Sequence, residues 1–151
     1  IRKQKIGLVF QQFYLIPNYT ALENVILPNL LVSNNKSKSI ELAKKLIKKF
    51  DLTSRLNHYP SELSGGENQR IAIARAIINE PNIILADEPT GNLDGETGKI
   101  IVDLLFDLHE RVGTTMLLIS HDQTLATRCD RVVTLADGRI VDEHLGEGPG
   151  G

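Results

Sequence analysis

"NIILADEPTGNLDGETGKIIVDLLFDLHERVG", residues 82–113, changes its periodicity half-way along, and that change decides the fold. Pro81 breaks the chain. Behind it Ile83, Ile84, Leu85 and Ala86 form a continuous apolar run, as expected of a strand covered on both faces. Asp87 and Glu88 close the run. After a loop containing Pro and Gly, Asp94 stands where a helix N-cap belongs. The segment IIVDLLFDLHE then carries helical spacing until Gly113 stops it. A buried strand, a polar edge and a helix in succession make one unit of an α/β architecture.

The same alternation extends to both sides. IGLVF (6–10) reads as a buried strand and TMLLIS (115–120) as another. TALENVILPNLL begins with a capping-box pair, Thr20 and Glu23, and reads as a helix that Pro28 kinks or ends. VSNNKSKS reads as a polar loop. IELAKKLIKKF places Ile40, Ala43, Ile47 and Phe50 on one helical face, with Lys44, Lys45, Lys48 and Lys49 largely on a solvated one. DQTLATRC suggests a short helix. RVVTLADGRIVDE suggests two strands around an Asp-Gly turn. Strands alternating with helices predict an α/β fold with a mostly parallel sheet and a C-terminal β-hairpin appended.

Composition narrows the class. The chain has 151 residues, 41% of them apolar and 24% charged, which is ordinary for a globular domain. A net charge of −2 gives no overall nucleic-acid footprint. Cys129 is the single cysteine, so no internal disulfide can form and a reducing compartment fits. No apolar run approaches the ~20 residues of a membrane span.

"LSGGENQR", residues 63–70, precedes a long apolar helix. Ser64 occupies an N-cap position, and Glu67 three residues later completes a second capping box. Gly65 and Gly66 carry no side chains, so their N–H groups can approach another molecule closely. A helix start offers unpaired donors and a positive dipole end, which suits an anion such as phosphate.

Three apolar strands end in polar residues: at Gln11, at Asp87 and Glu88, and at Ser120 and His121. In a parallel sheet these ends share one edge, where α/β proteins bind ligands. Two carboxylates there suit a metal–phosphate site, one supporting Mg²⁺ and the other polarising an attacking water. A histidine can donate to a terminal phosphate oxygen, and a glutamine can orient water without changing charge.

Taken in order, "VFQQ", "LSGGE", "IILADE", "GNLD" and "SHD" resemble the motifs of ABC-type ATPases. "ADEPTGNLD" together with "TALENVILP" resembles the branch that contains lipoprotein-releasing, macrolide-exporting and cell-division ATPases. The resemblance spans roughly residues 1–143. It implies a P-loop-NTPase-like domain with a helical signature subdomain at about 14–80. Residues 1–13 and 81–143 would belong to the catalytic core, and 144–151 would be a flexible tail.

It also implies roles. Asp87 matches the aspartate that supports Mg²⁺, Glu88 the carboxylate that activates water, and His121 the histidine that senses the γ-phosphate. Gln11 matches a glutamine that touches the metal site and relays its state to membrane subunits. Asp94 matches an aspartate at a dimer interface. Ser64, Gly65 and Gly66 match a signature that binds the ATP held by a second copy.

The resemblance thus implies ATP and Mg²⁺ as cofactors. The partners would be a second ATPase subunit, with ATP sandwiched in a homodimer, and transmembrane permease subunits, with no nucleic acid. The place would be the cytoplasmic face of the inner membrane, peripherally. The implied function is the energy-coupling ATPase of a transporter, with an ATP-switched scaffold of a cell-division complex as the alternative. DNA-acting relatives carry a long coiled coil between the two regions that here lie only about fifty residues apart, without sustained heptads.

Two departures stand out. Position 67 is Glu where the more familiar signature has Gln, and the capping box gives Glu67 a structural reading. No G-x-x-x-x-G-K-[ST] loop is present; Gly98–Lys99 is followed by Ile100 and falls within the helix predicted after Asp94. The expectation is a domain lacking its N-terminal part and, as it stands, inactive.

Overall fold

The computed structural model describes residues 5–146 and 148, arranged as two compact units, 1–119 and 120–151. In the first unit β1 (Ile6–Phe10), β2 (Ile83–Asp87) and β3 (Thr115–Ile119) form a parallel sheet in that order. The register aligns Val9 with Ala86 and Leu118, and Phe10 with Asp87 and Ile119. Side chains alternate across a strand, so each row belongs to one face.

One face is covered. Val9, Ile84 and Ala86 join a buried cluster with Ile71, Ile73 and Ala74 of one helix, Gly65–Ile77, and Ile101, Leu105 and Leu108 of another, Gly95–Val112. The opposite face is not: Ile83, Leu117 and Ile119 are exposed. Coverage on both faces, expected for Ile83–Ala86, and burial, expected for TMLLIS, are therefore corrected to a one-sided core. Among the described residues β3 pairs only with β2, and alternate residues along it point away from the helices.

The helices in chain order are α1 (Ala21–Leu30), α2 (Lys36–Lys49), α3 (Gly65–Ile77) and α4 (Gly95–Val112). Thr20 and Glu23 form the expected capping box on α1. Pro28 lies inside α1, which continues to Leu30 before ending, so it withholds one N–H from the last turn without terminating the helix there. The run read as a polar loop is shorter than expected. Asn35 accepts from the Lys38 N–H at 3.0 Å and starts α2 at Lys36. Ser39 is buried and donates to Asn29 Oδ1 at 2.6 Å, which pulls the first turn of α2 inward. α4 ends as read, with Gly113 in the left-handed region at φ 66°.

The second unit holds α5 (Gln123–Ala126) and an antiparallel hairpin, β4 (Arg131–Ala136) with β5 (Arg139–Leu145). Asp137 and Gly138 both have positive φ, 51° and 72°, as the two-residue hairpin turn requires. β5 takes in His144 and Leu145, the first two residues of the expected tail; residues 147 and 149–151 lie outside the described residues. Among the described residues no helix is long and apolar enough to cross a membrane.

Candidate functional site

The sheet register sets the site's geometry. Phe10, Asp87 and Ile119 are Cα partners, so Gln11 and Glu88 each stand one residue beyond the same row. Asp87 is exposed at the end of β2. Glu88 adopts φ 45°, a conformation that non-glycine residues seldom take and that costs on the order of 1 kcal/mol. Its N–H donates to Ile119 O at 2.9 Å, and its carbonyl accepts from the Gly91 N–H at 3.1 Å. The strand thus turns sharply at the second carboxylate, held by β3 on one side and by its own loop on the other.

The signature helix grips this edge from within. Gln69 of α3 is fully buried and donates through Nε2 to Pro89 O at 2.6 Å and to Phe10 O at 3.4 Å. It therefore ties the main chain just after Glu88 to the main chain just before Gln11. One and a half turns further on, the Arg75 guanidinium donates to Tyr14 O at 2.5 Å and to Phe13 O at 2.8 Å, fixing the loop that follows Gln11. Neither residue was singled out from sequence. The available signal was a glutamine four residues before Ile73, on the apolar side of the helix.

Gln11 is also held from the loop after Glu88. Its Nε2 donates to Asn92 Oδ1 at 3.3 Å, and Asn92 Nδ2 donates back to Gln11 O at 3.0 Å. The Gln11 side chain lies against Gly91, where an added Cβ would come within 2.6 Å of its Nε2.

The helix start at Ser64 has the predicted capping box. Ser64 Oγ accepts from the Glu67 N–H at 3.2 Å, and Glu67 Oε2 accepts from the Ser64 N–H at 2.8 Å. The second carboxylate oxygen accepts from Arg55 Nε at 2.8 Å. Arg55, and next the Ser64 N–H, hold the Glu67 carboxyl below its usual range. The two glycines differ. Gly65 is exposed beside Ser64, whereas Gly66 is buried, and a Cβ on it would lie 2.4 Å from Thr97 Cγ2 of α4. The absent side chain at Gly66 thus allows two helices to meet, in addition to any role toward a ligand.

Asp94 caps α4, its Oδ1 accepting from the Thr97 N–H at 3.0 Å; that bond holds its carboxyl low. The first unit therefore gathers Gln11, Asp87, Glu88, the 89–94 loop and the Ser64 helix start. His121 is exposed and belongs to the second unit, two residues beyond the end of β3. Among the described residues no three His, Cys, Asp or Glu side chains converge on a metal position. The Asp87 carboxylate and the Gln11 amide are oxygen donors of the kind that suits Mg²⁺, an ion that takes one or two protein oxygens and completes its shell with phosphate and water.

Residues 1–91 match the protein family described as ABC transporter. The chain belongs to the ABC transporter family. It is 49% identical over 143 residues to the ABC transporter ATP-binding protein YbbA of Escherichia coli (strain K12), covering 95% of this chain and 63% of that protein. It is 50% identical over 139 residues to the lipoprotein-releasing system ATP-binding protein LolD of Syntrophotalea carbinolica, covering 92% and 61%. The dimeric ATP-binding cassette MJ0796, solved in a post-hydrolysis state bound to ADP and Pi, superposes with a TM-score of 0.85 at 44% identity, covering 95% of this ABC chain and 64% of that one. The chain thus spans less than two thirds of the length of these relatives.

Proposed function

We propose that this ABC-family chain belongs to an ATP-binding and ATP-hydrolysing subunit that couples hydrolysis to transport through a membrane permease. The observation that carries the proposal is the turn at Glu88. A carboxylate on left-handed backbone follows Asp87 at the end of β2, in a loop tied both to Gln11 and to the signature helix.

In this reading Glu88 polarises the attacking water and accepts its proton. Asp87, with Gln11, would hold Mg²⁺, which supplies charge neutralisation at the phosphates when bound. His121 donates to the terminal phosphate. Gln69 and Arg75 keep the main chain around Gln11 and Glu88 in register with the signature helix. Ser64 and Gly65 present a capped helix start to the nucleotide held by a second copy, so two chains sandwich ATP, and Asp94 lies at their interface. The segment from Phe13 to about Pro60 faces the permease. Its support is the run of exposed aromatic and aliphatic side chains there, Tyr14, Tyr19, Leu31 and Tyr59. The subunit is then peripheral, at the cytoplasmic face of the membrane. The lipoprotein-releasing type is the transporter class that the name of the LolD relative favours.

The test is Glu88→Gln in an intact cassette carrying this segment. Steady-state ATP turnover should fall at least tenfold while nucleotide binding persists, because the basic group is lost and the shape kept. Turnover that falls less than this overturns the assignment of Glu88.

A further inference from the structure

The reciprocal contact between Gln11 and Asn92 has a direction built into it. A main-chain carbonyl can only accept a hydrogen bond, so the Asn92 side chain must turn its NH₂ toward Gln11 O, as it does at 3.0 Å. That fixes Asn92 Oδ1 toward the Gln11 side chain. The only end of the Gln11 amide that can meet an acceptor is its own NH₂, and Nε2 donates there at 3.3 Å. The oxygen end of Gln11 is consequently the end presented outward. Gly91 makes the arrangement possible, since a Cβ there would clash with Gln11 Nε2 at 2.6 Å. Asn92 is itself carried on the loop whose Pro89 carbonyl is held by the buried Gln69.

We infer that Asn92 is a positioning residue that sets the amide orientation of Gln11, so that an oxygen ligand rather than an NH₂ faces the metal and the attacking water. The inference deepens the role proposed above for Gln11 and rests on it. It links the loop after Glu88 to the loop after β1 through two side-chain hydrogen bonds, 81 residues apart in sequence. An amide presented the wrong way round would offer a donor to a cation, which repels it.

The experiment compares Asn92→Ala, the near-isosteric Asn92→Asp, Gln11→Ala and the Asn92→Ala/Gln11→Ala double variant in an intact cassette. Asp at 92 could still accept from Gln11 Nε2, but it sets an acceptor against Gln11 O, and that repulsion should swing the side chain off both partners, so it too should release Gln11. Both Asn92 variants should lower kcat about two- to tenfold, the range expected for losing one or two neutral hydrogen bonds, with the ATP KM changed less than about twofold. In the Gln11→Ala background, Asn92→Ala should lower kcat by much less, because the amide it orients is gone and only its bond to the main-chain oxygen of residue 11 is left to lose. Nucleotide-free ¹H–¹⁵N spectra supply a readout independent of turnover: the Gln11 side-chain amide signals should move toward those of a free amide in both Asn92 variants. Unchanged Gln11 amide signals, or an Asn92→Ala loss as large in the Gln11→Ala background as in wild type, overturn the inference while leaving the role of Gln11 standing. Unaltered turnover in Gln11→Ala overturns that role itself, and the inference with it.

Discussion

Glu67 and Glu88 are both glutamates in motif positions, and their surroundings could hardly differ more. Glu67 sits in the first turn of α3 with both carboxylate oxygens engaged, one by the Ser64 N–H and the other by Arg55. Its backbone is ordinary helix. Glu88 sits on a strained turn at the end of β2, where its main-chain N–H donates to Ile119 O. One carboxylate is engaged in holding a helix start; the other is set on backbone that costs free energy to maintain. Strain that the surrounding structure sustains marks sites where geometry serves chemistry. A glutamate in a signature therefore need not touch a nucleotide, and the environment separates the two roles where residue type does not.

That contrast predicts opposite consequences for the same substitution. Glu88→Gln, besides its loss of turnover, should leave the melting temperature of an intact cassette within about 2 °C of wild type, since the substitution keeps the side chain's shape and the main-chain bonds that hold the turn. Glu67→Gln should do the reverse, with turnover within about twofold of wild type and a lower melting temperature. A Glu67→Gln variant whose activity falls as far as that of Glu88→Gln would break the comparison.

The glycines beside Glu67 sharpen it further. Gly66→Ala would press a methyl into Thr97 Cγ2 at 2.4 Å and should destabilise by about 1–3 kcal/mol, read from denaturant unfolding. Gly65→Ala, whose tightest approach would be Leu93 Cδ2 at 3.2 Å, should cost less. Equal losses would show that the packing of α3 on α4 does not distinguish them. Ser64→Ala removes the cap acceptor and should cost about 1 kcal/mol in the same measurement.

The smallest effect is expected from Arg55→Ala, since its partner pair is partly open to solvent: a few tenths of a kcal/mol, diminishing with added salt. It should also depend on pH. The native Glu67 carboxyl is held below its ordinary value, so its contribution is complete above about pH 4.3 and is lost as the pH falls through the lowered native value. The stability gap between wild type and Arg55→Ala should therefore be present at pH 7 and close in acid. A gap that widens in acid would contradict the pairing.

Local devices were legible in the sequence. Both capping boxes, the Asp94 cap, the Gly113 stop and the Asp-Gly hairpin turn depend on residues within a few positions of one another, and each stands where its pattern put it. The alignment of the strand ends was legible because parallel pairing follows from strands that alternate with helices. What could not be read were polar contacts across long separations. Arg55 with Glu67, Gln69 with Pro89, Arg75 with Tyr14, and Asn92 with Gln11 impose no periodicity, so nothing in the spacing announces them. The one-sided core was hidden for a different reason. An unbroken apolar run such as Ile83–Ala86 reports that both faces of a strand can be buried, and within this chain only one of them is.

The two glutamate regions meet functionally only if the helix start at Ser64 in one copy completes the site around Glu88 in another. The most direct test mixes two intact cassettes, each disabled once: Ser64→Arg in one and Glu88→Gln in the other. If the signature acts on the neighbour's nucleotide, the heterodimer has one site with both defects and one with none. ATP turnover should then return on mixing, to about half of the wild-type value for that heterodimer. If each signature serves its own subunit, both sites keep one defect. Turnover that does not return on mixing, while a wild-type/Ser64→Arg heterodimer remains active, would contradict the account.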